Sequence, residues 1–109
     1  MSNKRLVLGL LAVLGLGVSL PASAASDGAQ LYGQYCAKCH AQDGRANNLR
    51  GWLYFAQNLS QAKWQDKVSD AQILETIQQG PGAMPAFAEK LDQAQQQALL
   101  RAVRELRRP

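Results

Sequence analysis

Tyr35-Cys36-Ala37-Lys38-Cys39-His40 is the stretch on which the reading of the fold turns, because it gathers both cysteines and the single histidine of a 109-residue chain. Three interpretations of such a cluster fail on residue types. A structural zinc site needs four protein ligands, and no further Cys or His exists to complete one. A thioredoxin-like thiol pair expects a strand and a βαβ context, whereas the residues before Cys36 have helical spacing. A disulfide between Cys36 and Cys39 would close a very small loop, constrain the unfolded chain little and leave the adjacent histidine unexplained. The pattern that remains is C-x-x-C-H, the covalent attachment site of a c-type haem. Each thiol adds across one haem vinyl group. Two intervening residues let both sulfurs reach, while the neighbouring imidazole turns under the ring to bind iron.

Upstream, Gly28, Leu31, Tyr32 and Tyr35 recur at helical spacing, so a short amphipathic helix from about Asp27, capped by Ser26 or Asp27, runs into Cys36. Further back the chain does not read as folded protein. Lys4 and Arg5 precede a Gly-rich apolar run from Leu6 to Leu20, followed by Pro21-Ala22-Ser23-Ala24-Ala25. A charged start, a short apolar stretch and small residues at cleavage spacing make residues 1–24 a cleaved secretory signal peptide, leaving 25–109 as one domain. A spanning helix needs about 20 apolar residues, and no stop-transfer charges follow this run. The expectation is therefore a periplasmic, monomeric protein with no stable membrane insertion after cleavage. Loss of Lys4 and Arg5 lowers the formal net charge from +4 to +2. Two haem propionates would roughly cancel that excess, so nothing supports nucleic-acid binding. The clustered Arg101, Arg104, Arg107 and Arg108 read as complements to a helix C-terminus.

Downstream, residues 41–51 carry two Gly, two Asn and an Asp without a period and read as a loop. Trp52, Tyr54, Phe55, Leu59 and Trp64 fit one or two short helical turns packed on something apolar. Ser69 and Gln72 form a capping box that predicts a helix over 70–79, with Ile73, Leu74 and Ile77 inward and Gly80 as its stop. Pro81, Gly82 and Pro85 bar helix continuation and place Met84 in an extended, fixed loop. Asp92 caps a last helix to about Arg107 that buries Leu99, Ala102, Val103 and Leu106. No strand alternation occurs, so the fold class is all-α, with helices at both ends and loops wrapping one haem. About 85 residues would otherwise bury only a marginal core, which a bound prosthetic group reinforces.

The second axial ligand follows from inventory. With His40 proximal and Met1 removed with the leader, Met84 is the remaining soft ligand, and its Gly/Pro-rich loop presents the thioether rigidly. An iron with both axial positions filled shuttles electrons and offers no site to a substrate, so the chain is expected not to be an enzyme. The expected role is a periplasmic one-electron carrier between a redox donor and acceptor, such as a dehydrogenase, a cytochrome bc complex or a terminal oxidase. A Lys such as Lys63, Lys67 or Lys90 is the other candidate for the sixth position; the alternatives for the role are a five-coordinate haem c enzyme or gas sensor, with Met84 off the iron, and a dedicated electron-transfer subunit of a larger oxidase or dehydrogenase.

Residues 26–109 resemble a short class I c-type cytochrome of the bacterial or photosynthetic kind. Gly28 and Tyr32 match that family's Gly and aromatic on the first helix, and Met84-Pro85-Ala86-Phe87 is similar to its axial-Met loop. The resemblance implies a small cytochrome c fold whose N- and C-terminal helices cross, with Leu100 and Val103 facing Gly28. It also implies that Trp64 contacts a haem propionate; Arg50 or Arg45 would do the same. Asn48-Leu49-Arg50-Gly51 resembles the segment after the haem motif, but Asn47 stands where the family has a Pro whose carbonyl orients the axial imidazole. Another backbone carbonyl is then expected to accept the His40 ring proton.

Overall fold

The first and last helices meet almost backbone to backbone. In the computed structural model, which describes residues 15, 17 and 24–109, α1 (Ala24–Tyr35) and α6 (Gln93–Glu105) are the longest elements. The expected leader falls, but for Gly15, Gly17 and Ala24, outside the described residues. A Cβ on Gly28 would collide with the carbonyl of Ala98 and lie 3.4 Å from the Cβ of Ala102. The small i, i+4 pair Ala98 and Ala102 therefore forms the notch, rather than Leu100 and Val103, which the sequence placed there. Both of those are buried in the surrounding core with Tyr32, Ile73, Ile77 and Leu99. The correction is geometric: residues four apart lie one above the other on a helix face, and only their short side chains let another backbone so close.

Between these helices lie α2 (Ala37–His40), α3 (Leu49–Leu53), α4 (Ala62–Lys67) and α5 (Asp70–Gln79). The caps behave as the sequence predicts. Ser69 accepts from the Gln72 amide at 3.1 Å while the Gln72 side chain accepts from the Ser69 amide at 2.9 Å, and Asp92 and Gln95 repeat the arrangement on α6. Gly80 ends α5 in the left-handed conformation, φ +59°. Helix α6 stops at Glu105, two residues short of expectation, and the loop expected over 41–51 ends early because Asn48 caps α3. Among the described residues no strand forms; an isolated parallel bridge joins Gln61 to Arg108.

The C-terminal arginines are not simple dipole complements. Arg104 donates from Nη1 to the Gln65 carbonyl and side-chain oxygens at 2.6 and 2.9 Å, from Nη2 to the Val68 carbonyl at 2.6 Å, and from Nε to Asp70 at 2.8 Å. Gln65, buried on α4, donates in turn to the carbonyls of Leu59 and Val103. One guanidinium and one amide thus fasten α4 and the start of α5 to α6, satisfying backbone groups that a chain poor in regular structure would leave unpaired.

Gly28→Val should force α1 and α6 apart. The expected cost is about 1–3 kcal/mol, the range for overpacking a tight contact, read as a lower urea midpoint of the haem-loaded protein at unchanged m-value.

Candidate haem site

One residue, Cys36, separates α1 from α2, so the position of α1 on α6 fixes where the thiols and His40 lie. The amides of Cys39 and His40 both donate to the Cys36 carbonyl, at 3.2 and 3.0 Å. This single turn is why two residues between the cysteines bring both onto one side. Immediately after His40 the chain reverses at Ala41, which adopts φ +62°. The Tyr32 hydroxyl donates to the Ala41 carbonyl at 2.7 Å, and burial pushes that phenol well above its ordinary range, so it stays a donor at any working pH.

His40 lines the cavity described below, and its Nδ1 sits 2.8 Å from the carbonyl oxygen of Gln57. A carbonyl only accepts, so Nδ1 carries the proton and Nε2 keeps the lone pair needed by a metal. Burial also holds the imidazole below its usual pKa, outweighing the opposing effect of the Gln57 bond. The ring is therefore neutral and oriented. The backbone acceptor expected from the sequence exists, 17 residues away from the histidine.

A cavity of about 500 Å³ opens against this turn, within the roughly 300–1,000 Å³ of sites that bury a sizeable ligand. Cys36, Cys39, His40, Trp64 and Met84 all line it, together with the buried apolar Ile73, Ile77, Leu99 and Val103. Met84 is held by a turn rather than an extended segment: its amide donates to the Pro81 carbonyl at 3.2 Å, with Gly82 at φ +60°. Arg50 is absent from this lining and lies exposed on α3. Arg45 is likewise absent and pairs with Asp43 at 3.6 Å. The cation that does line the cavity is Lys67. Trp52 is 73% exposed and absent from the lining, whereas Phe55, 93% exposed, belongs to it.

Cys36 is pushed up to about 11 by burial and then by the nearby Cys39. That is the reverse of the depressed thiol that drives a dithiol oxidoreductase. Nor do the described residues group three or more His, Cys, Asp or Glu side chains as a metal cage would. Two thiols, one oriented neutral imidazole, one thioether and an apolar enclosure are instead the donor set that fits haem c.

Comparison with known proteins reaches the same place. Residues 23–101 match the family model described as cytochrome C oxidase, cbb3-type, subunit III. The chain belongs to this family of c-type cytochromes. The cytochrome is 35% identical over 69 residues to the cbb3-type cytochrome c oxidase subunit FixP of Bradyrhizobium diazoefficiens, covering 62% of this chain and 22% of FixP. It is 32% identical over 77 residues to subunit CcoP of Azospirillum brasilense, covering 70% of this chain and 26% of CcoP. The cytochrome thus spans only about a quarter of the length of these curated relatives. Among solved structures it superposes on the KustC0563 c-type cytochrome with a TM-score of 0.69 at 40% identity, covering 75% of this chain and 99% of that one. The cytochrome is an all-α electron-transfer domain that carries covalently bound haem c.

Sequence reasoning missed Asn48. Its Oδ1 accepts from the Gly51 amide at 2.7 Å, and its Nδ2 donates to the carbonyls of Ala37 and Lys38 at 3.3 and 3.1 Å. It therefore caps α3 and pins it to the attachment turn. Gly51 allows the approach, because a Cβ there would strike the Cys39 carbonyl. A polar residue before a short apolar run was the available signal. Asn48→Ala is expected to cost about 1–2 kcal/mol, as lost N-caps do, seen as a lower thermal midpoint of the loaded protein with an unaltered reduced spectrum.

Proposed function

We propose that Cys36 and Cys39 form the two thioether links to the haem, that His40 Nε2 and the Met84 thioether are its axial ligands, and that the domain works as a one-electron carrier without catalysis of its own. The observation that carries this reading is the His40–Gln57 bond beside a cavity also lined by Met84. An imidazole fixed in the metal-binding tautomer faces the same enclosure as the chain's remaining soft ligand.

Haem c supplies a reversible one-electron iron couple when bound. The protein's part is to hold and tune it. His40, its proton fixed on Nδ1 by a peptide oxygen, needs no rearrangement to ligate. A thioether in place of a second imidazole favours the reduced metal and raises the potential. With His40 and Met84 both as ligands, no position would be left open to substrate or oxygen. The apolar lining from α5 and α6 excludes water from the centre, while Trp64 and Lys67 are the lining residues suited to the propionates, by indole N–H donation and by charge.

Residues 1–24 support export by a cleaved leader, and with it a periplasmic location of the domain. Among the described residues no helix is long and apolar enough to cross a membrane. A second reading draws on the relatives, which are oxidase subunits of about three times this length: the domain serves as the electron-entry part of a larger terminal oxidase. Co-purification of the exported chain with oxidase subunits favours it, and a freely soluble, singly purified chain favours the independent carrier.

Absorption spectra of the exported protein and of Met84→Ala, followed by acid-acetone extraction, test the ligand set. Haem is expected to stay with the chain, and the variant to lose the weak far-red iron–sulfur band and to bind carbon monoxide when reduced. Extractable haem would return Cys36 and Cys39 to a thiol pair. A parent protein that already binds carbon monoxide would make the five-coordinate sensor or enzyme the better description.

A further inference from the structure

Five large apolar side chains in one short stretch lie in the open: Leu49, Trp52, Leu53, Tyr54 and Phe55. Haem accounts for two of them. Tyr54 and Phe55 line the cavity, whereas Leu49, Trp52 and Leu53 do not, yet they are 72, 73 and 53% exposed. The three stand at i, i+3 and i+4, one face of α3. Gly51, on the same helix, is buried against the Cys39 and Ala46 carbonyls, so α3 is seated on the attachment turn with an apolar face left over. Clustered exposed apolar residues of this size mark an interaction site.

We propose that the Leu49–Trp52–Leu53 face of α3 is the docking surface for a one-electron redox protein whose own contact face is apolar and bordered by carboxylates. The proposal rests on the electron-carrier reading: one electron passes between the haem and the partner's cofactor, one oxidised as the other is reduced, with no atom transferred. Charge selects this occupant. Arg50 on α3 and Lys38 on the adjoining α2 are exposed, and among the described residues neither makes an ion pair. The single carboxylate between Gly28 and Gln65 is Asp43, already 3.6 Å from Arg45. The border of the patch is therefore cationic. A second copy docked face to face would set like charges together. Position argues for a redox protein over a lipid surface: Tyr54 and Phe55 carry the apolar strip to the cavity, so whatever covers α3 sits beside the haem.

Voltammetry of the haem-loaded protein on gold tests this, with monolayers of mixed methyl- and carboxylate-terminated thiols imitating the partner face and pure methyl or pure carboxylate layers as controls. The parent protein is expected to exchange electrons fastest on the mixed layer. Leu49→Ser with Trp52→Ser should slow that exchange by about tenfold, as loss of central apolar anchors does, and Arg50→Gln should weaken its salt dependence, both with midpoint potential and spectrum unchanged. A reversible response equal in parent and variants overturns the docking surface and leaves the carrier reading intact. No reversible response on any layer overturns the carrier reading itself. Sedimentation with phosphatidylglycerol/phosphatidylcholine vesicles, or dimerisation in solution, that the double variant abolishes would give the face to lipid or to a second copy and overturn the redox partner.

Discussion

The approach of α1 to α6 at Gly28 and Ala98 is the constraint from which the rest of the domain takes its position. Helix α1 leads through Cys36 directly into the attachment turn, so any change in the crossing is passed to both thiols and to His40. The same α6 supplies Leu99 and Val103 to the cavity and Arg104 to the α4–α5 side. Two helices in backbone contact thus set both the anchored end of the cofactor and the apolar wall beside it.

Short helices and long connections make polar satisfaction as important as burial here. The chain solves it with a few side chains that reach backbone groups far away in sequence. Gln65 and Arg104 serve four carbonyls between them, Asn48 serves two, and Gln96 accepts from Gln78 while donating to the Leu91 carbonyl. No buried side-chain nitrogen or oxygen among the described residues is left without a partner. Such bonds contribute modestly when made, about 1 kcal/mol each, but leaving a buried partner unpaired costs more. Their larger effect is to give the loops one conformation.

What could be read from the sequence was local. The Ser69–Gln72 capping box, Asp92 as a helix cap and Gly80 as a helix stop each depend on neighbours within a few positions, and the structure places all of them as expected. The misses are non-local. Nothing beside Gln65 announces that its amide spans to Val103, 38 residues on, and nothing beside His40 points to the Gln57 carbonyl. Facing residues on α6 went wrong because helix spacing fixes which residues share a face but not which of them lies under a particular glycine. The aromatics of 52–55 were expected to pack on something apolar, and hydrophobicity is silent on whether that is the core, a cofactor or another molecule.

The support of His40 is a peptide oxygen, and this restricts how the domain can vary. A side-chain acceptor can be deleted or exchanged by one codon change; a main-chain carbonyl persists through every substitution at Gln57. Drift in the setting of the His40 ring must instead come through the course of the backbone from Tyr54 to Asn58, where Phe55 holds an uncommon left-handed φ of +53°. The orientation of this imidazole is thus buffered against substitution at Gln57 and sensitive to insertions or deletions in one five-residue connection.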